Sequence, residues 1–214
     1  AKYIISGSIK NNCFPKVAFQ KIRNVLWISH FTENKVVPAK YKKSRKDVTW
    51  DQDIYETNRI CIEVLKKFCK EYKLNLEVLS AYKGNSIEEK LFYQSFGIKI
   101  KDISKDDIHP WRESYNNIFS DTIIVHTTST LGYELFARNY RVAFFAIRSQ
   151  LLNIDSLKFA WPKKTKDIGN FWCNNNNTDS LKKVMEFLLN VSEEEWLKET
   201  SHFEDIMKYD HKNE

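Results

Sequence analysis

His126-Thr127-Thr128-Ser129-Thr130 puts five hydrogen-bonding side chains in a row, with Gly132 and Glu134 close behind. That spacing suits the capture of a phosphate group. The hydroxyls of Thr128, Ser129 and Thr130 supply donors, and a helix beginning near Thr130 would add unpaired N–H groups and the positive end of its dipole. Gly132 falls in the first helical turn, where a missing Cβ lets a bulky anion approach the backbone. Glu134 lies too far along to close a capping box with Thr130, since that pairing needs the acid three residues after the cap. Its carboxylate is therefore expected to be free and placed to accept hydrogen bonds from a ribose diol, which would make the site one for a nucleotide rather than for inorganic phosphate. The same residues also have a structural explanation, because Ser and Thr cap helices widely and the dipole alone favours a Glu in the first turn.

These residues need a strand before them and a helix after them, and the flanking sequence supplies both. The β-branched run Thr122 to Val125 reads as a buried strand, and apolar positions recur with helical spacing at Leu131, Leu135 and Phe136. A second apolar run, Val142 to Ile147, then leads to Arg148. Strand, turn, helix and strand in that order make a parallel α/β unit, whose first turn lies at the ligand edge of the sheet. The fold class expected is therefore α/β, a Rossmann-like parallel sheet flanked by helices, with further helices at the C-terminus. Domain limits are expected at 1–190 for the Rossmann-like domain and 191–214 for a helical tail.

The stretch DTIIVHTTSTLGYELFARNYRVAFF resembles the donor-binding segment of bacterial surface-carbohydrate biosynthesis proteins, in which a strand, an S-T-L-G-x-E turn, a helix and the next strand follow one another. Ser129, Thr130, Gly132 and Glu134 match that turn residue by residue. The resemblance extends more loosely from ISGSIKNN through VLWISHF and EEKLFY to GNFW. It implies the donor half of a two-domain GT-B glycosyltransferase, related to capsule Kdo transferases and bacterial sialyltransferases. The resemblance covers one such half, and the chain begins at Ala1. An excised domain, or one partner of a split enzyme whose acceptor-binding half lies elsewhere, is therefore expected.

With 214 residues the chain is long enough to bury a core of its own. The formal charge of +6 and the basic clusters at Lys40 to Lys46 and Lys163 to Lys166 suit an anionic partner, although a solvated loop explains each cluster equally well. Nucleic acid is not expected, because there is no recognition-helix pattern, zinc spacing or aromatic RNA-binding signature. The four cysteines, Cys13, Cys61, Cys69 and Cys173, form no C-x-x-C pair. Cys61 and Cys69 fit the core of a helix in a reducing cytoplasm. No apolar run approaches the roughly 18 residues of a membrane span, so any membrane contact is expected to be peripheral, at the inner membrane.

Taken in order, Tyr3 to Ser6 reads as a strand running into Gly7-Ser8, a turn that could contact substrate, and Ile9 to Lys16 as a loop. Val25 to Ser29 is a strand ending at His30, a candidate phosphate contact or acid/base group. Residues 31–49 are read as a mobile loop over a site. Asp51 to Tyr72 is the longest helix, and Leu74 to Leu79 the strand completing a right-handed crossover. Ser86 with Glu89 reads as a capping box, leaving Glu88 the freer acid for a donor contact. His109-Pro110 looks like the pair that, in sialyltransferases and Kdo transferases, contacts the nucleotide's phosphate. That makes His109 the catalytic candidate, with Pro110 as a plain helix start the structural alternative. Arg148 is placed to hold a second phosphate or a sugar carboxylate. Asn174 to Asn177 caps a helix from Asp179 to Asn190, and Ser192 with Glu195 caps a terminal one, whose Trp196, Phe203 and Ile206 suit either a missing domain or the core.

The function these readings imply is binding of a nucleotide-activated sugar, CMP-, CDP- or UDP-linked, and its transfer to a glycan acceptor of a capsule or lipopolysaccharide. No metal and no separate cofactor are expected. A non-catalytic nucleotide-binding or assembly module and a sugar-nucleotide epimerase are the alternatives.

Overall fold

The computed structural model describes residues 8–31, 50–80, 87–101, 115, 118–206 and 209. Among these residues six parallel strands form one sheet: β1 (Asn24–Ile28), β2 (Asn75–Leu79), β3 (Ile100–Lys101), β4 (Thr122–His126), β5 (Val142–Phe145) and β6 (Trp172–Cys173). Their order across the sheet is β3-β2-β1-β4-β5-β6. The chain therefore builds outwards from β1 in one direction and from β4 in the other, and the switch between the two halves falls between β1 and β4. This is the Rossmann-like α/β architecture.

The strands read as continuous apolar runs because helices cover the sheet. Every residue of β4 and β5 is buried, as is all of β1 after Asn24. Helix α1 (Ile9–Asn12) is a single turn where the sequence suggested a loop. Helix α2 (Trp50–Tyr72) connects β1 to β2, and Ile60, Cys61, Val64, Leu65 and Phe68 on it are buried. Helix α3 (Ile87–Ser95) follows β2, α4 (Thr130–Ala137) joins β4 to β5, and α5 (Arg148–Leu151) is a short turn after β5. Helix α6 (Thr178–Asn190) packs against α2, and α7 (Glu193–Ser201) closes the described fold. The expected caps are present: Asn177 Oδ1 accepts from Ser180 N–H, and Ser192 Oγ from Glu195 N–H. Strand β5 ends at Phe145, two residues before the apolar run does, because Ala146 and Ile147 already turn into α5.

The terminal apolar residues belong to the core. Trp196 is fully buried, with its ring centroid 5.8 Å from Phe136 of α4 and 5.2 Å from Phe171, and Phe203 packs 5.1 Å from Phe159. Cys61, Cys69 and Cys173 are buried thiols outside any disulfide. Burial raises the Cys61 thiol well above its ordinary value and Cys69 to about 12, so both behave as apolar filler rather than nucleophiles. Among the described residues no helix is long and apolar enough to cross a membrane.

Several expectations lie outside the described residues: the Tyr3–Ser6 strand, Gly7, the 32–49 segment with its lysine cluster, Ser86, His109-Pro110 and most of the helix expected from Trp111. Trp196→Ala should cost about 3 to 5 kcal/mol in urea unfolding, the range for emptying an aromatic core site. A loss below about 1 kcal/mol would mean that α7 does not share the core.

Candidate functional site

The carboxyl ends of β1, β4 and β5 lie side by side at and beside the switch point, and each carries polar residues. Ser29 and His30 follow β1, Thr127 to Thr130 follow β4, and Arg148 opens α5 just beyond β5. Thr127 is buried, Thr128 and Ser129 are half-buried, and Thr130 is exposed. The Thr127 and Thr128 hydroxyls stand 3.5 Å apart, and Arg148 Nη1 donates to Thr128 Oγ1 at 3.4 Å. The structure thus brings the β4 hydroxyls and Arg148 together.

The turn itself is shaped by His126. Its Nδ1 accepts the Ser129 N–H at 3.1 Å, which leaves the proton of a neutral ring on Nε2. Ser129 is the N-cap of α4, its own N–H is held by the imidazole, and its side chain makes no capping bond. Gly132 and Tyr133 direct their amides back to the Ser129 carbonyl. The amides of Thr130 and Leu131 come before that first bond and face out of the helix start, as at other helix N-termini.

Gly132 has a different purpose from the one its position suggested. A Cβ there would lie 2.3 Å from two atoms of the His126 ring, so the vacant space holds the imidazole rather than an anion. Burial pushes the His126 pKa down to about 3. In the sequence this histidine stands as one more polar residue of the cluster. Its place three positions before the N-cap was the available signal.

Glu134 also differs from expectation, since its carboxylate is not free. Oε1 accepts the Ser8 hydroxyl at 2.5 Å, Oε2 accepts the Tyr115 hydroxyl, and the residue is buried. Glu134 therefore ties α1 and Tyr115 to the second turn of α4. Ser8 additionally accepts the Asn11 N–H at 3.4 Å, as a cap of α1. Burial, followed by the Glu134 bond, holds the Tyr115 hydroxyl protonated far above neutral pH.

At the β1 end, Trp27 Nε1 donates to Asn58 Oδ1 at 3.1 Å and to the Tyr93 hydroxyl at 2.9 Å. The Tyr93 oxygen is also 2.9 Å from Ser29 Oγ and 2.7 Å from Asn58 Oδ1, and His30 N–H donates to Asn58 at 3.3 Å. This buried network fixes where His30 leaves the strand. Glu89 accepts the Ser80 hydroxyl at 2.6 Å and is fully buried, whereas Glu88 is exposed and accepts from Tyr55. Glu88 is therefore occupied at the surface of α3.

Clefts border α4 and α5. A polar one of about 200 Å3 adjoins the Arg148 segment, lined by Ser149, Gln150, Asp155, Lys158, Asp167 and Asn175. A larger one of about 580 Å3 lies towards the C-terminal end of α4, among Phe136, Asn139, Leu197 and Thr200. Lys163, from the second basic cluster, is spent on Asp205 at 3.4 Å and on the His202 carbonyl. Among the described residues no His, Cys, Asp and Glu group is suited to a metal.

Compared with known families, residues 1–214 match the family model described as "putative O-antigen biosynthesis protein". The chain belongs to that family. No curated protein and no solved structure matches it. Membership in the O-antigen biosynthesis family agrees with the surface-carbohydrate resemblance carried by Ser129 to Glu134.

Gly132→Ala should cost about 1 to 3 kcal/mol, the usual range for overpacking, when followed by urea unfolding; an unchanged midpoint would refute the packing role. His126 also makes stability depend on pH. Its folded pKa lies below the unfolded one, so below about pH 6.5 the unfolded chain binds the extra proton. Stability should then fall on acidification by up to about 1.4 kcal/mol per unit, and His30, whose pKa is also lowered, acts in the same sense. Thermal unfolding between pH 6.5 and 5, above most carboxylate titration, should show that slope, and a flat profile would contradict it.

Proposed function

We propose that this member of the O-antigen biosynthesis family binds a nucleotide-activated sugar at the carboxyl edge between β1 and β5 and transfers the sugar to a glycan acceptor. In this reading it is the donor half of a GT-B-like glycosyltransferase. The observation that supports it best is the approach of Arg148 Nη1 to Thr128 Oγ1, at 3.4 Å, beside the open start of α4 at the switch point. A guanidinium, a row of hydroxyls and outward-facing amides are the donor set that a phosphate needs.

Thr128, Ser129, Thr130 and the helix start would hold the phosphate that becomes the leaving group, with Arg148 on the same or the next phosphate. As the bond from the sugar to the phosphate oxygen breaks, charge accumulates on that oxygen, and donors already aimed there stabilise it without reorganising. Gly132 acts indirectly by seating His126 beneath the turn. Glu134 serves the ribose only by exchanging the Ser8 hydroxyl for a ribose hydroxyl. His109 and Gly7 lie outside the described residues; in this reading His109 neutralises the departing phosphate. The acceptor hydroxyl, its activating base and any peripheral membrane contact belong to an acceptor-binding domain or partner chain.

Titration calorimetry with CMP, CDP and UDP separates this reading from a pure scaffold. At least one should bind, and Arg148→Lys should weaken it about 10- to 100-fold, the loss expected for a forked, charge-assisted contact. Absence of binding at millimolar nucleotide would overturn the reading. Turnover of a sugar nucleotide without acceptor would favour an epimerase or hydrolase.

A further inference from the structure

His30 stands at the switch point with one ring nitrogen unused. Its backbone is fixed by Asn58, and its Nε2 is buried without a hydrogen-bond partner among the described residues, although the residue as a whole is partly open to solvent. A buried ring nitrogen left unpaired costs free energy, and a ligand atom able to pair with it would recover that cost. Among the described residues, the groups around it are few. The charge whose field reaches it is that of Arg148, from the segment after β5. From α2 it meets Asn58, which is neutral, and from α3 comes the Tyr93 hydroxyl, bonded to Ser29 and held protonated by burial. Glu89 of α3 is engaged with Ser80, at the end of β2. Burial first, and Arg148 second, keep the imidazole neutral while no anion is bound.

A phosphate seated against Arg148 and Thr128 reverses that balance, because its negative charge offsets the guanidinium that His30 faces. We propose that His30 is the proton carrier of this site, taking up a proton as a terminal phosphate forms or binds there and donating from Nε2 to a phosphate oxygen. The proposal rests on the donor-site reading above and adds to it the charge state that the site prefers. In the transfer, the bond between the sugar's anomeric carbon and the phosphate oxygen breaks and its electron pair stays on that oxygen. The acceptor oxygen bonds to the carbon and releases its proton, which balances the one that His30 gains. The linking phosphate thereby changes from a diester with one negative charge to a terminal group with two. A proton acquired only for the second charge stabilises the leaving group more than the intact donor, which is the differential binding that lowers a barrier.

The test uses the full chain with CMP and UDP, each compared with the methyl ester of its terminal phosphate, by calorimetry at pH 7.5 in two buffers of different ionisation enthalpy. The free nucleotide should bind with uptake approaching one proton, and its affinity should fall by up to about tenfold per pH unit as the bound imidazole loses that proton. The ester should bind without uptake. H30Q should abolish the uptake and flatten the pH dependence for the free nucleotide. Should H30Q fail to fold, the 15N shifts of His30 in the labelled wild-type chain report the same event, moving to imidazolium values on adding the nucleotide and not on adding the ester. Binding of the free nucleotide with no uptake, or with uptake that survives H30Q, overturns the role of His30 and leaves the donor site standing. Failure of both nucleotides to bind overturns the donor site, and this inference with it.

Discussion

A neutral imidazole pressed against a bare Cα decides the geometry of the β4–α4 turn. His126 ends the central strand, accepts the Ser129 N–H and fills the space that any side chain at position 132 would occupy. The ring holds the N–H of the N-cap residue, the Ser129 hydroxyl makes no capping bond, and Thr128 and Thr130 remain on the accessible side of the turn. A charged ring in the same place would set a cation beneath the positive end of a helix, so the turn depends on the histidine staying neutral. Burial achieves this across the whole physiological range.

The other two edges of the site are held with similar economy. The Trp27, Asn58, Tyr93 and Ser29 network satisfies buried polar atoms among themselves and ties α2 and α3 to the end of β1, so His30 emerges from a rigid support. Glu134 fastens α1 and Tyr115 onto α4 from the opposite side. Both are polar networks inside an otherwise apolar α/β core, where one missing partner would leave the rest unpaired at considerable cost. A rigid surround of this kind suits a site that must meet developing charge without rearranging.

The fold was legible in the sequence because parallel strands buried on both faces read as unbroken apolar runs. Val25 to Ser29, Thr122 to Val125 and Val142 to Ile147 each gave a strand within one or two residues of its limits. The turn's position was legible for a related reason, since hydroxyls between a strand and a helical pattern have few other places to lie. The roles of Gly132 and Glu134 were not. Whether a glycine makes room for a ligand or for a ring six residues back depends on the angle between strand and helix, which spacing does not contain. Glu134 looked unattached because its partners, Ser8 and Tyr115, are 126 and 19 residues away in sequence. Trp196 was ambiguous between a missing domain and the core for the same reason, and Phe136 and Phe171 decide for the core.

The central claim is that the edge formed by Thr128, Ser129, Thr130 and Arg148 receives a nucleotide's phosphate. A crystal of the chain soaked with a cytidine or uridine nucleotide tests it most directly. The account predicts phosphate oxygens within hydrogen-bond distance of the Thr128 to Thr130 hydroxyls or amides and of Arg148. A nucleotide bound instead in the cleft beside Phe136, Asn139 and Thr200, with the β4–α4 turn empty, would contradict it.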